Sequence, residues 1–144
     1  MKQMLNIDYE ILKNLYRYKE SIKVGDLATI FNLPHSTIGS CVKRLEKEGY
    51  VVYERYRSVH LSKKGSDLAI ELIRHSQLLE VLLYNELGLK KEDAHEESEK
   101  FNLLFSCTTI NKICEKYNHP VKCPCGELIL NSPECYCESK NHVH

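Results

Sequence analysis

The chain has 144 residues, 42% of them hydrophobic and 28% charged, which is enough to bury a core as one compact domain or two small ones. It has no Trp, no apolar run near the roughly 18 residues that a membrane span needs, and no signal-peptide-like start, so we expect a cytoplasmic protein with no membrane partner. The formal net charge of zero hides an asymmetry, because residues 1–65 carry twelve Lys and Arg against seven Asp and Glu, whereas residues 66–144 carry eight against thirteen. A basic front suits contact with DNA, and an acidic back attracts cations.

The first 62 residues have the pattern of a winged helix-turn-helix. Residues 6–19 predict a first helix, with apolar residues at helical spacing. Residues 24–31 and 36–49 predict two further helices around a turn that contains Asn32 and Pro34. The last of these helices places four apolar residues on one face: Ile38, Cys41, Val42 and Leu45. Residues 50–57 and 58–62 then predict two β-strands that form the wing.

This segment supplies the residues that we expect to bind DNA. Ser36, Thr37 and Ser40 lie at the start of the second helix of the motif, where side chains face base edges and phosphates. Further contacts are expected from Lys43 and Arg44 on that helix and from Arg55 and Arg57 in the wing. A solvated basic surface is the alternative interpretation of these charges.

The second half predicts two long helices. Residues 67–87 carry a broad stripe of leucines, and residues 90–118 form a second apolar-periodic segment after an acidic start. Together they have more apolar surface than one small winged domain can cover, so we expect a homodimer. Cys107 and Cys114 fall on the apolar face and are expected to be core residues.

Cysteines dominate the end of the chain. Four of the seven lie in the last 22 residues, as the pairs Cys123/Cys125 and Cys135/Cys137. In a chain without a signal sequence, thiols or metal ligands are expected rather than disulfides. Four converging thiolates suit tetrahedral zinc, and an iron–sulfur centre is also compatible with them. A tail without bound metal is the competing interpretation.

A second metal-binding pattern lies in the helix after residue 90. His95 and Glu99 are four residues apart and therefore share a helix face, and Asn102 could add a carbonyl oxygen. Imidazole and carboxylate together suit Mn, Fe, Zn, Ni or Co. A solvated acidic helix start explains the same residues without a metal.

The order of these elements and several short segments resemble the DtxR/MntR family of metal-dependent repressors. The similar segments are residues 61–65 (LSKKG), 78–80 (LLE), 87–89 (LGL), 94–99 (AHEESE) and 119–124 (HPVKCP). The resemblance covers about residues 5–130. It implies a dimer that binds palindromic operators when divalent iron or manganese is present.

The resemblance also implies a partly altered set of metal ligands. Glu80, His95 and Glu99 match family ligand positions, whereas a ligand His is replaced by Ser76, with His75 one residue earlier. Two further ligand positions hold Asn102 and Leu103, and the ligand on the first helix corresponds to Asp8 or Glu10. The set that the resemblance gives is therefore Glu80, His95 and Glu99, with His75, Asp8, Glu10 and Asn102 as further candidates.

We thus predict a mainly α fold with a small β wing, in three parts: a DNA-binding domain at 1–64, a helical dimerisation and metal-binding domain at 65–118, and a Cys/His-rich tail at 119–144. The predicted function is a metal-dependent transcriptional repressor, not an enzyme, with double-stranded DNA as partner. Manganese or iron is the expected effector, with zinc in the tail. The alternatives are a winged-helix regulator that senses redox state or an iron–sulfur or zinc centre through the C-terminal cysteines, and a winged helix that binds protein instead of DNA.

Overall fold

A computed structural model describes residues 5–54, 58–102 and 105–131 of the chain. The chain divides into two compact units, residues 1–69 and residues 70–144. The predicted fold class is confirmed, because the described residues form helices and one two-stranded antiparallel sheet. None of the described helices combines the length and hydropathy that crossing a bilayer requires.

Three helices form the body of the first unit: α1 (Asn6–Tyr18), α2 (Val24–Phe31) and α3 (His35–Lys47). The apolar face predicted for the third helix is buried, with Ile38, Val42 and Leu45 fully inaccessible to solvent. Helix α3 packs against both α1 and α2. Asn32 ends α2 with a backbone φ of 52°, a left-handed conformation that Asn tolerates better than most residues, so the chain turns directly into α3.

The wing consists of β1 (Val51–Tyr53) and β2 (Val59–Leu61), which pair antiparallel with Val52 opposite His60. The regular strands are shorter than the runs predicted from sequence. Val51 and Val59 point into the core, with 3% and 0% exposure. One contact was not predicted from the sequence: Ile22 and Val59 exchange two backbone hydrogen bonds of 2.9 and 2.8 Å.

Helix α4 (Lys63–Leu87) begins four residues earlier than predicted, because Ser62 provides its start. The Ser62 hydroxyl oxygen accepts a hydrogen bond from the backbone N–H of Gly65, and its carbonyl accepts one from Ser66. The first bond satisfies an N–H group that has no backbone partner within the helix, and the second is the first hydrogen bond of the helix itself. Gly65 lies against the backbone of Tyr50, where an added Cβ atom would be only 1.8 Å from the Tyr50 carbonyl oxygen.

We expect Gly65→Ala to lower the free energy of unfolding by about 1–3 kcal/mol, the usual cost of forcing an extra group into a packed site. The neighbour is backbone and cannot rotate away. Gly39→Ala is the matched control, since a Cβ atom there meets nothing within 4 Å and removing a helical glycine stabilises by about 0.5–1 kcal/mol. Urea unfolding of both variants measures the difference, and equal effects would contradict this account of Gly65.

The second unit corrects one sequence prediction. The single helix expected over residues 90–118 is two helices, α5 (Lys91–Glu99) and α6 (Cys107–Lys116). Ser106 begins the second one, because its side-chain oxygen accepts a hydrogen bond from the N–H of Thr109 at 3.2 Å. Serine favours such a cap over a helix interior, so Ser106 indicates a helix start. The prediction from apolar periodicity did not take it into account. Leu78 on α4 packs with Ile110, Ile113 and Cys114 on α6 in a buried cluster.

The segment after α6 is fastened to α4 by one amide side chain. Nε2 of Gln77 donates to the Leu128 carbonyl at 2.7 Å and to a Glu127 carboxylate oxygen at 2.8 Å, while its Oε1 accepts from the Leu130 N–H at 2.9 Å. Arg74 adds a 2.9 Å hydrogen bond to the Leu130 carbonyl. This attachment determines where residues 123–126 lie along α4.

Candidate metal centre and DNA-binding surface

Helix α3 presents a polar surface opposite its buried face. Ser36, Thr37, Ser40 and Lys43 are exposed on it, as the sequence prediction for DNA contacts requires. A helix that reads the major groove needs such a face of short polar and basic side chains, supported on the other side by a packed core. The two wing arginines of the prediction, Arg55 and Arg57, lie outside the described residues.

Arg44 differs from its neighbours on α3, because its guanidinium binds the buried carboxylate of Asp8. Nε and Nη2 of Arg44 donate to the two Asp8 oxygens at 2.7 and 2.9 Å, and the Leu5 N–H donates to Asp8 at 3.0 Å. Asp8 is fully buried, and the Arg44 side chain is 18% exposed. The hydrogen bonds to Asp8 raise the pKa of Arg44 above its ordinary value.

This ion pair changes the roles expected for both residues. The sequence prediction offered Asp8 as a metal ligand and Arg44 as a DNA contact, but a carboxylate and a guanidinium that satisfy each other are committed to a structural role. Glu10, the alternative ligand on α1, makes a 3.0 Å ion pair with the buried Lys13. We therefore do not include Asp8, Glu10 or Arg44 among the proposed functional residues.

The structure brings three of the predicted ligands together around Glu80. Nδ1 of His95 lies 2.9 Å from Oε1 of Glu80, and its Nε2 lies 4.0 Å from Oε1 of Glu99. Glu80 is almost fully buried, whereas the His95 side chain is 41% exposed. Asn102 lies beyond the end of α5, so the continuous helix that would have placed it on the same face as His95 is absent.

Two cysteines of the C-terminal segment lie on the other side of the same carboxylate. The Cys125 N–H donates to Oε2 of Glu80 at 2.9 Å, and the sulfurs of Cys123 and Cys125 are 3.0 Å apart. A tight turn places them there, in which the Gly126 N–H donates to the Cys123 carbonyl and Gly126 adopts a left-handed φ of 96°. Pro124 occupies the turn position that favours proline.

Ligand atoms of Glu80, Cys123 and Cys125 all lie within 4.8 Å of one another, close enough for one ion with bond lengths of about 2.0–2.3 Å. Burial, followed by the hydrogen bond with Cys125 and the charge of Glu80, raises the pKa of the Cys123 thiol to about 12. A cation would offset the negative charge of a thiolate beside this carboxylate. The donor set therefore fits a divalent ion, and Cys135 and Cys137, the other predicted tail ligands, lie outside the described residues.

His75 belongs to a different cluster. Its Nε2 lies 2.8 Å from Oε1 of Glu71 and 3.6 Å from Sγ of Cys107. Cys107 is buried as predicted, but it contacts polar groups and takes part in a disulfide, while four other described cysteines (Cys41, Cys114, Cys123 and Cys125) are free thiols. Glu71 was not predicted as a site residue, although a glutamate four residues before a histidine inside an apolar helix indicates that the two side chains share a face.

Two family descriptions match adjoining parts of the chain. "Iron dependent repressor, N-terminal DNA binding domain" matches residues 8–59, and "Iron dependent repressor, metal binding and dimerisation domain" matches residues 62–131. One similar protein is the HTH-type transcriptional regulator MntR of Lysinibacillus sphaericus (strain C3-41), 31% identical over 93 residues that cover 65% of this chain and 66% of the relative.

Solved structures agree with these matches. The manganese regulator SloR is 27% identical with a TM-score of 0.75, over 94% of this chain and 63% of SloR. A manganese-dependent transcriptional repressor in complex with manganese is 26% identical with a TM-score of 0.75, over 86% of this chain and 59% of the repressor. This chain thus spans about three fifths of the length of these two regulators. From its two matched domains, its winged helix-turn-helix and these relatives, the chain belongs to the DtxR/MntR family of metal-dependent repressors.

Proposed function

We propose that the protein is a homodimeric, metal-responsive DNA-binding repressor whose metal centre contains Glu80, Cys123 and Cys125. The observation that carries this proposal is the convergence of two cysteine sulfurs on the buried carboxylate of Glu80. His95, 2.9 Å from that carboxylate and partly exposed, is the nearest candidate for a fourth ligand. Glu99, 4.0 Å from the far ring nitrogen of His95, is a second neighbour of the same site.

The ligand types favour a particular class of metal. Thiolates bind zinc and ferrous iron better than manganese, which prefers carboxylate and water oxygens. The two structural relatives named above are manganese regulators, so this chain differs from them in its proposed effector. We propose zinc or ferrous iron as the effector, whereas the sequence prediction gave manganese and iron equal weight and placed zinc in the tail.

Dimerisation and metal binding together explain how an ion controls DNA binding. The matched family domain carries both properties, and exposed apolar side chains at the end of α4, such as Leu87 at 67% exposure, offer surface that a second copy could cover. An ion that stabilises one arrangement of the two recognition helices lowers the conformational cost of binding DNA. By linkage, DNA then tightens metal binding by the same factor.

We expect DNA retention only in the presence of metal, with Lys43 on the contact surface. The full-length protein is incubated with a pool of random duplexes and with zinc, ferrous iron, manganese or a chelator, and bound duplexes are sequenced. Lys43→Gln should weaken retention and reduce the slope of log affinity against log salt concentration by about one, the contribution of one phosphate contact. Lys112→Gln on α6, where the lysine is 74% exposed, is the matched control and should change neither. Equal retention in chelator would contradict the proposal.

The raised pKa of Cys123 predicts a strong pH dependence of metal binding. Because the thiol is protonated at neutral pH, the ion must displace at least one proton. Affinity for zinc should therefore rise about tenfold per pH unit for each proton released. Competition against a chromophoric chelator at several pH values measures the slope. Cys123→Ser should reduce the slope by one proton, and a pH-independent affinity of the unmodified protein would exclude thiolate ligation.

A further inference from the structure

Glu71, His75 and Cys107 form a buried cluster that the proposed effector site does not use. Their exposures are 1%, 4% and 1%. Sγ of Cys107 and Nε2 of His75 lie 2.7 and 2.8 Å from the same Glu71 oxygen, and the sulfur and the ring nitrogen are 3.6 Å apart. One nitrogen, one sulfur and one oxygen ligand atom thus converge within 4.8 Å of one another.

Two helices build this cluster from opposite sides. Glu71 and His75 are one turn apart on α4, so they share a helix face. Cys107 is the first residue of α6, where the positive end of the helix dipole favours an anionic sulfur. A His, a carboxylate and a Cys match the donors that zinc takes, with bond lengths of about 2.0–2.3 Å. The present 2.7–2.8 Å spacings need to open by less than about 1 Å to suit tetrahedral ligands.

The contact between Cys107 and Glu71 depends on the oxidation state of the sulfur. In a disulfide the sulfur has no proton to donate, and a carboxylate oxygen has none either, so 2.7 Å brings together two atoms that carry lone pairs. In the reduced protein the thiol can donate its proton to this oxygen, and a divalent ion can bind both atoms in place of that proton.

This cluster is separate from the one around Glu80. Glu71 and Glu80 are nine residues apart on α4, which is about 13 Å along a helix axis at about 1.5 Å per residue. One ion cannot bind both carboxylates, and no ligand atom is shared between the two groups.

We propose that Glu71, His75 and Cys107 bind a second divalent ion of the zinc class in the reduced protein, and that oxidation of Cys107 to a disulfide abolishes this site. Reduction by a phosphine takes up one water and gives two thiols and the phosphine oxide. The ion then binds the Cys107 sulfur and releases its proton to solvent. Occupancy of this site therefore reports the thiol state of the protein, a property beyond the metal-dependent repression proposed above.

The test counts ions on full-length protein in which Cys123 and Cys125 are both replaced by Ser, kept anaerobic with a phosphine. Cobalt(II) is added, excess is removed by gel filtration, and bound cobalt is measured by mass spectrometry and by thiolate-to-cobalt charge-transfer absorption. We expect thiolate-to-cobalt charge-transfer absorption, whether or not Glu80, His95 and Glu99 bind a further ion. Cys107→Ser in this background should lose the absorption and one equivalent of cobalt. Cys114→Ser, which alters a buried cysteine on the same helix outside the cluster, should keep both.

Equal cobalt content and absorption with and without Cys107→Ser would overturn the proposal. A second measurement does not depend on that variant: oxidation of the Cys123/Cys125 double variant with a diazene dicarboxamide should release the ion, and phosphine should restore it. Retention of the ion after complete oxidation would equally overturn the proposal. The proposed repressor function is tested separately, by DNA retention. The cobalt experiment does not depend on it, because the double variant lacks the thiolates of the Glu80 site and keeps Cys107.

Discussion

Arg44→Met should lower the free energy of unfolding by about 3–5 kcal/mol, because the change leaves the Asp8 carboxylate buried without its cation. Asp8 is fully buried and receives both of its charge-assisted hydrogen bonds from this one guanidinium. A loss of this size is a large part of the stability of a small domain. Urea denaturation followed by circular dichroism measures it.

The double variant Asp8→Leu/Arg44→Met is the control. Replacing a buried ion pair by apolar residues of similar size is often neutral or stabilising, so the double variant should recover most of the stability that Arg44→Met loses. If Arg44→Met retains its full stability, the pair does not form in solution. The double variant restores stability but cannot restore a direct contact between Arg44 and DNA. Comparing stability with DNA binding in this variant therefore separates the structural role of Arg44 from a role in DNA contact.

The ion pair also determines which variants can test DNA binding. We expect a charge reversal at Arg44 to weaken DNA binding by destabilising the unit, whether or not the residue touches a phosphate. Lys43 is exposed on the same helix and has no such partner to disrupt among the described contacts. Its substitution reports on DNA contact alone.

Replacing both Cys123 and Cys125 by Ser should reduce the zinc affinity of the Glu80 site by about 100-fold or more, while changing its manganese affinity by much less. Hydroxyl groups are poor ligands for zinc, whereas manganese gains little from thiolates in the first place. Competition titrations with both metals measure the change in selectivity. Metal-dependent DNA retention should shift to correspondingly higher zinc concentrations.

Glu80→Gln provides the complementary comparison. It keeps the size of the side chain and its ability to accept the Cys125 N–H, but it removes the charge that an ion needs. We expect zinc and manganese affinities to fall together in this variant, unlike in the cysteine double variant. A parallel loss of both metals in the cysteine variant would indicate collapse of the turn at residues 123–126 instead of loss of ligands.

Sequence periodicity was sufficient for the elements that bury an apolar face. The face of α3 with Ile38, Val42 and Leu45 and the antiparallel wing follow from local spacing and from β-branched residues. The break between α5 and α6 did not follow, because the apolar spacing continues across it and only the Ser106 cap marks it.

Contacts between side chains that are far apart in the sequence could not be predicted from local patterns. Asp8 and Arg44 are 36 residues apart, and Glu80 and Cys125 are 45 apart, so neither pairing leaves a periodic signal. The sequence offered Glu80 and the Cys123/Cys125 pair as members of two different metal sites. The tertiary fold unites them, because the segment after α6 returns along α4.

The amide of Gln77 hydrogen-bonds to the backbone of Leu128 and Leu130 as a neighbouring strand would. Gln77 makes two donor contacts and one acceptor contact with residues 127–130, and the Cys125 N–H donates to Glu80. These two attachments to α4 fix the number of residues that can lie between them. An added or deleted residue between Cys125 and Leu128 would break one anchor or the other. The length of this stretch is therefore fixed. Exposed residues before it, such as Val121, have no comparable restriction on side-chain identity.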